Sequence, residues 1–130
     1  MKTTRPRSRI ITNSSDPYFT NPDLAQHLVE LLDKQVNLTK SFDAIVEPSA
    51  GYGAFVDAIL GQVKKPNVFA YDIKPNHHFV KRANFLKLEN PVPKRFTRSR
   101  VLCVTNPPFG LGRNWHHSLF TNVQRFPITL

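Results

Sequence analysis

The chain has 130 residues, one domain's worth, and its 40% hydrophobic content with ten Phe suits a packed core, which excludes wholesale disorder. Basic residues outnumber acidic ones 18 to 9, for a net charge of +9; this suits contact with a polyanion, nucleic acid first, against the alternative of a solubilising basic surface. A lone cysteine, Cys103, excludes an intramolecular disulfide and a cysteine metal cluster, and its apolar neighbours mark it as a small core residue.

The first residues, MKTTRPRSRI, lack the apolar stretch of a signal peptide, and nowhere is there a run of about 18 apolar residues. An intracellular protein, cytoplasmic or nuclear and not secreted, without a membrane partner, is therefore expected. Residues 1–15 are basic, rich in Ser and Thr and without periodicity, and read as a flexible arm; residues 16–130 read as the folded part. Asn21 is placed to cap a helix, Pro22 to open it, and Asp23 to face the positive end of its dipole. Leu24, Leu28, Leu31 and Leu32 then recur at helical spacing to about Gln35.

Residues 42–47, FDAIVE, read as a short buried strand ended by PSAGYG, and residues 54–60, AFVDAIL, as a helix closed by Gly61. NVFAYDI (67–73) predicts a second strand, residues 76–83 a short helix, and ANFLKL (83–88) a third strand. A Pro- and Arg-rich loop follows, then a fourth strand over RVLCVT (100–105) and a helix over 114–126, with Trp115, Leu119 and Val123 on one side. Alternating strands and helices predict an α/β fold with a parallel sheet of about four strands. In such sheets ligands sit beyond the carboxyl ends of the strands, where PSAGYG, Asp72, the Asn84–Phe85 region and NPPFG all fall.

In EPSAGYGAF (47–55), Gly51 and Gly53 allow backbone to approach a ligand closely, or simply make a turn. Val56 stands where the third glycine of a dinucleotide fingerprint would be. Glu47, an acid at the end of an apolar strand, would repel a pyrophosphate and attract a cation. The loop thus fits a positively charged, nucleoside-bearing cofactor better than NAD. Asp72, 25 residues on, is placed to accept hydrogen bonds from ribose hydroxyls, with a turn before Lys74-Pro75 as the plainer reading.

NPPFG (106–110) ends the fourth strand because Pro107 and Pro108 cannot continue a sheet. The Asn106 side-chain carbonyl and the Pro107 carbonyl are two acceptors able to hold both hydrogens of an amino group, and Phe109 could stack on the ring bearing it. That arrangement serves transfer of an electrophilic group to an exocyclic or amide nitrogen. A strand-ending turn with a buried Phe is the alternative.

EPSAGYGAF, YDI and NPPFG, in this order on successive strands, resemble the S-adenosylmethionine-dependent amino-methyltransferases, especially the N6-adenine DNA methyltransferases. DPYFTNPDLAQHLVELL (16–32) resembles the family's segment before the glycine loop, with Asn21 inserted before Pro22. The resemblance implies a Rossmann-like class I methyltransferase fold and S-adenosylmethionine as cofactor. It implies that Tyr18 and Thr20 border the cofactor's methionine end, that Glu47, Gly51 and Gly53 surround it, that Phe55 supports the loop, and that Asp72 binds the ribose. Asn84 and Phe85 match a family Asp-Phe pair near the adenine, and Asn106, Pro107, Pro108 and Phe109 match the segment that holds the target base.

The resemblance favours DNA over RNA as partner, with RNA adenine or a protein glutamine amide as other substrates and an inactive truncated remnant, or a module that only binds nucleic acid or cofactor, as a further alternative. The family's sheet has seven strands, whereas this sequence reaches ITL (128–130) about where a fifth would begin. The last strands are expected in a missing C-terminal part or a second polypeptide, or the chain is a reduced relative of the family; the fourth strand is left near an edge. The pairs His77-His78 and His116-His117 read as surface histidines facing different ways, not metal ligands. Trp115 and Phe120 read as core or interface residues. Lys94, Arg95, Arg98 and Arg100 are placed beside the site loop, where they could meet phosphates or simply be solvated.

Overall fold

The computed structural model of the chain describes residues 20–96 and 100–106 and the short strand at 128–129. Its elements are α1 (Pro22–Val36), α2 (Leu38–Ser41), β1 (Ala44–Glu47), α3 (Ala54–Leu60), β2 (Val68–Asp72), β3 (Lys81–Arg82), β4 (Val101–Cys103) and β5 (Ile128–Thr129). The strands form one parallel sheet in the order β3-β2-β1-β4-β5. Sequence order reverses between β1 and β4, the position at which open α/β sheets bind ligands.

Each expected start signal of α1 is present. Asn21 Oδ1 accepts the amides of Asp23 at 2.8 Å and Leu24 at 3.1 Å, filling two donors that the first turn leaves without partners. Asn37, at φ 54°, closes the helix by donating its amide to the Asp33 carbonyl at 2.8 Å, and its side chain caps α2. The buried face differs from the expected one. Ala25 and Val29 are buried with Leu32 packed beside them, while Leu24, Leu28 and Leu31 are 50%, 43% and 44% exposed. Ala25 and Val29 share an apolar layer with Ala58 and Ile59 of α3.

Strand residues alternate between two apolar layers, as the period of two requires. Ile45, Val68 and Leu102 join the layer formed with α1, α2 and α3; Ala44, Val46, Tyr71 and Val101 join the opposite layer, with Phe85, Val92 and Phe96. The Tyr71 hydroxyl donates to the Pro91 carbonyl, so this second layer is tied to β2 by a buried hydrogen bond. At the amino edge, Asp43 exchanges two hydrogen bonds with Arg100: its amide donates to the Arg100 carbonyl at 2.8 Å, and its Oδ2 accepts the Arg100 amide at 2.9 Å.

Three expectations are corrected. Residues 76–83 are not helical: a turn leads into β3 at Lys81–Arg82. The strand expected over 83–88 is instead a single 3-10 turn, Phe85–Lys87, because Asn84 Oδ1 accepts the Leu86 amide at 3.0 Å and turns the chain out of the sheet. Ile128–Thr129 pairs in parallel with β4, so β4 lies between β1 and β5 rather than at an edge. Gly61 does follow α3, but at φ −75°, so no left-handed cap is formed. The helix expected over 114–126, with Trp115, His116, His117 and Phe120, lies outside the described residues, as does the arm over 1–15.

Candidate functional site

The carboxyl ends of β1, β2 and β4 meet the start of α1, and this is where most of the expected residues come together. Glu47 ends β1, and the chain turns at once because its Oε1 accepts the Ser49 amide at 2.9 Å. The Ala50 amide donates to the Tyr71 carbonyl at 2.9 Å, holding the glycine loop over the end of β2. Gly51 and Gly53 both have positive φ, 56° and 86°, a backbone region that side chains rarely tolerate. Phe55 packs against the helical layer beneath the loop.

Asp72 ends β2 and fastens the loop from the other side. Its Oδ2 accepts the Gly51 amide at 2.7 Å, and its Oδ1 accepts the Lys74 amide at 2.8 Å. The second bond is the turn foreseen before Lys74-Pro75; the first pins the glycine loop. A carboxylate oxygen has two acceptor sites, so each oxygen keeps capacity for a hydroxyl donor. The Asp72 carbonyl also accepts the Ala83 amide at 2.9 Å, bringing Asn84 alongside. Asn84 uses its carbonyl to cap the local 3-10 turn. Phe85 is buried in the second layer, its ring 6.2 Å from that of Tyr71, which gives it a core role.

β4 delivers Thr105 and Asn106. Asn106 Nδ2 donates to Thr20 Oγ1 at 3.1 Å, across 86 residues of sequence. With Nδ2 held by Thr20, the amide presents Oδ1 as its acceptor. Tyr18, Pro107, Pro108 and Phe109 lie outside the described residues.

Electrostatics follow from burial. Glu47 is 2% exposed, and burial pushes its carboxyl up to about 8, with a further upward push from the Asp72 charge. The Ser49 amide and the nearby Thr105 hydroxyl pull the other way. Thr105 Oγ1 is itself buried and reaches no partner in hydrogen-bonding geometry among the described residues, so its effect on Glu47 is one of proximity rather than a formed bond. Burial, and secondarily Glu47, push the Cys103 thiol up to about 12, so it holds its proton at neutral pH and acts as a packing residue.

Two further readings are corrected. His77 is no ordinary surface residue: its side chain is 9% exposed, and its ring fills the space beside Gly53, where any Cβ would overlap it. The Phe79 amide donates to Nδ1 at 3.1 Å, which leaves Nε2 as the donor to Asp57 Oδ1 at 2.8 Å. The rings of His77 and His78 stack at 4.6 Å rather than facing apart, because a turn and not a helix carries them. Spacing gave no sign of this; the glycine whose missing side chain admits the ring lies 24 residues earlier.

Arg100 stands at the amino end of β4, roughly 20 Å of strand from Asn106, and donates to the Lys40 carbonyl. Arg95 stacks over Phe96 at 4.6 Å and donates to the Pro66 carbonyl. Both are exposed to solvent, as the plainer reading has it, but neither stands beside the loop that follows β4; Arg98 lies outside the described residues. Among the described residues there is no group of three or more potential metal ligands and no helix long and apolar enough to cross a membrane.

The geometry is that of a Rossmann-like α/β domain, a parallel sheet flanked by helices with its candidate site at the switch point. No protein-family model matches the chain, and neither curated proteins nor solved structures supply a match.

Proposed function

We propose that this domain binds S-adenosylmethionine and transfers its methyl group to the N6 amino group of adenine in DNA. The observation that carries the reading is the meeting, at one sheet edge, of a glycine loop pinned by Asp72, a buried acid at Glu47, and an Asn106 amide oriented by Thr20. The donor set fits the group. Two carboxyl groups flank the loop, which suits a cationic nucleoside and disfavours a pyrophosphate. A buried Thr105 hydroxyl without a partner among the described residues stands beside them.

In this reading Asp72 holds the ribose hydroxyls, and Glu47 with the backbone of Gly51 and Gly53 lines the methionine part. The cofactor supplies an electrophilic methyl group. Asn106 Oδ1 would accept one hydrogen of the adenine amino group and the Pro107 carbonyl the other, which would hold the nitrogen oriented for attack on that methyl group. Phe109 would stack on the base. In duplex DNA the base must first leave the helix, at a cost of about a few kcal/mol.

Two linked measurements test this. Calorimetric titration with S-adenosylmethionine should show saturable binding that Asp72→Ala weakens by roughly tenfold or more, the worth of a hydrogen bond to a charged group. Labelled methyl transfer to adenine-containing DNA should fall by about a hundredfold or more in Asn106→Ala. Unchanged transfer in that variant would sink the acceptor role, and binding without any transfer by the parent would favour the binding-module reading.

A further inference from the structure

Glu47 is the one buried charged side chain in the described core. Its surroundings can be enumerated. The glycine loop offers it the Ser49 amide, β2 brings the Asp72 carboxylate, and β4 brings the Cys103 thiol and the Thr105 hydroxyl. No Lys, Arg or His forms an ion pair with it among the described residues. A carboxylate buried this way, facing a second carboxylate and lacking a cation, is strongly disfavoured, and the protonated acid is not. Yet the group stands at the switch point of the sheet, where a ligand is expected.

We propose that the site takes up a positively charged ligand in exchange for the Glu47 carboxyl proton, and that Glu47 thereby selects cationic ligands over uncharged nucleosides of similar shape. The inference rests on the cofactor-site reading above and adds its charge rule. The exchange balances: the Glu47 O–H bond breaks, the proton passes to buffer, and the ligand's positive charge takes its place beside the carboxylate. The site's total charge is unchanged. Burial of Glu47, which pushes its carboxyl up to about 8, agrees with a group that is protonated at neutral pH until a cation arrives.

The test is calorimetry on the full chain at pH 6.5, where an α-amino group of ordinary pKa, about 7.7 to 8.0, remains protonated. S-adenosylmethionine is titrated in two buffers of different ionisation enthalpy, and 5′-methylthioadenosine serves as the uncharged nucleoside. Release of about one proton per S-adenosylmethionine is expected, and none with 5′-methylthioadenosine. The ratio of the two affinities should rise about tenfold from pH 6 to pH 7.

Glu47→Gln should abolish the release and flatten that ratio, while His77 and His78 remain in place. Binding without proton exchange, or a ratio constant with pH, overturns the exchange and leaves the cofactor-site reading standing. Release that persists in Glu47→Gln assigns the proton elsewhere and also overturns it. Absence of saturable binding overturns both. If the variant does not fold, a parent chain that binds S-adenosylmethionine without releasing a proton still overturns the exchange, and the pH dependence of the affinity ratio still tests it.

Discussion

Burial of a single carboxyl group at the end of β1 has a consequence for stability as well as for binding. Glu47 would titrate at 4.5 in an unfolded chain and near 8 in the fold. A folded pKa raised above the unfolded one contributes stability that is complete below the lower value and is lost as pH climbs to the upper one. Without ligand, unfolding free energy should therefore fall between pH 5 and pH 8, by up to about 1.4 kcal/mol per pH unit from this group. Urea unfolding across that range checks it: Glu47→Gln should flatten the slope and exceed the parent in stability at pH 8. A parent whose stability rises steadily to pH 8, with the variant parallel to it, would contradict the burial argument. His77 shows the same dependence on surroundings in another form, since its ring is buried only because Gly53 has no side chain to exclude it.

Among the elements, α1 connects local sequence to the site. Its cap, Asn21, follows directly on Thr20, whose hydroxyl receives the Asn106 amide. Asn21→Ala should lower stability by about 1 kcal/mol, measured by urea unfolding, and Asn21→Ser should restore most of it. An undiminished midpoint in Asn21→Ala would mean that the first turn is held by its packing on α3 alone. The start of this helix was legible because caps are local: Asn21, Pro22 and Asp23 act within one turn. Its buried face was not, because Leu24, Leu28 and Leu31 satisfy the same helical period as Ala25 and Val29, and only close packing on α3 chooses between them. The misplaced third strand has a similar origin. Apolar content around residues 83–88 favours extension, but the Asn84 side chain competes for the Leu86 amide and wins.

For the whole molecule, the excess of positive charge is unevenly placed along the chain. Residues 1–15 hold Lys2, Arg5, Arg7 and Arg9 and no acidic residue, so they supply four of the nine net charges. If the polyanion is DNA, a chain beginning at Asp16 should bind duplex DNA with a shallower dependence of log affinity on log salt, by as much as about 3 to 4 units. An unchanged slope would place the phosphate contacts on the folded part, where Lys74, Lys81 and Arg82 are exposed near the ends of β2 and β3. By itself the sequence determined the parallel α/β class, the places where α1 and α3 start and stop, and the fall of Glu47, Asp72 and Asn106 at strand ends, since caps, prolines and apolar periodicity act over a few residues. Only the tertiary structure decided the order β3-β2-β1-β4-β5, the pairing of Ile128–Thr129 with β4 and the Thr20–Asn106 bond across 86 residues. It also decided that Glu47 is buried without a cation among the described residues. Those features depend on which distant segments share a sheet edge, and local spacing does not encode that.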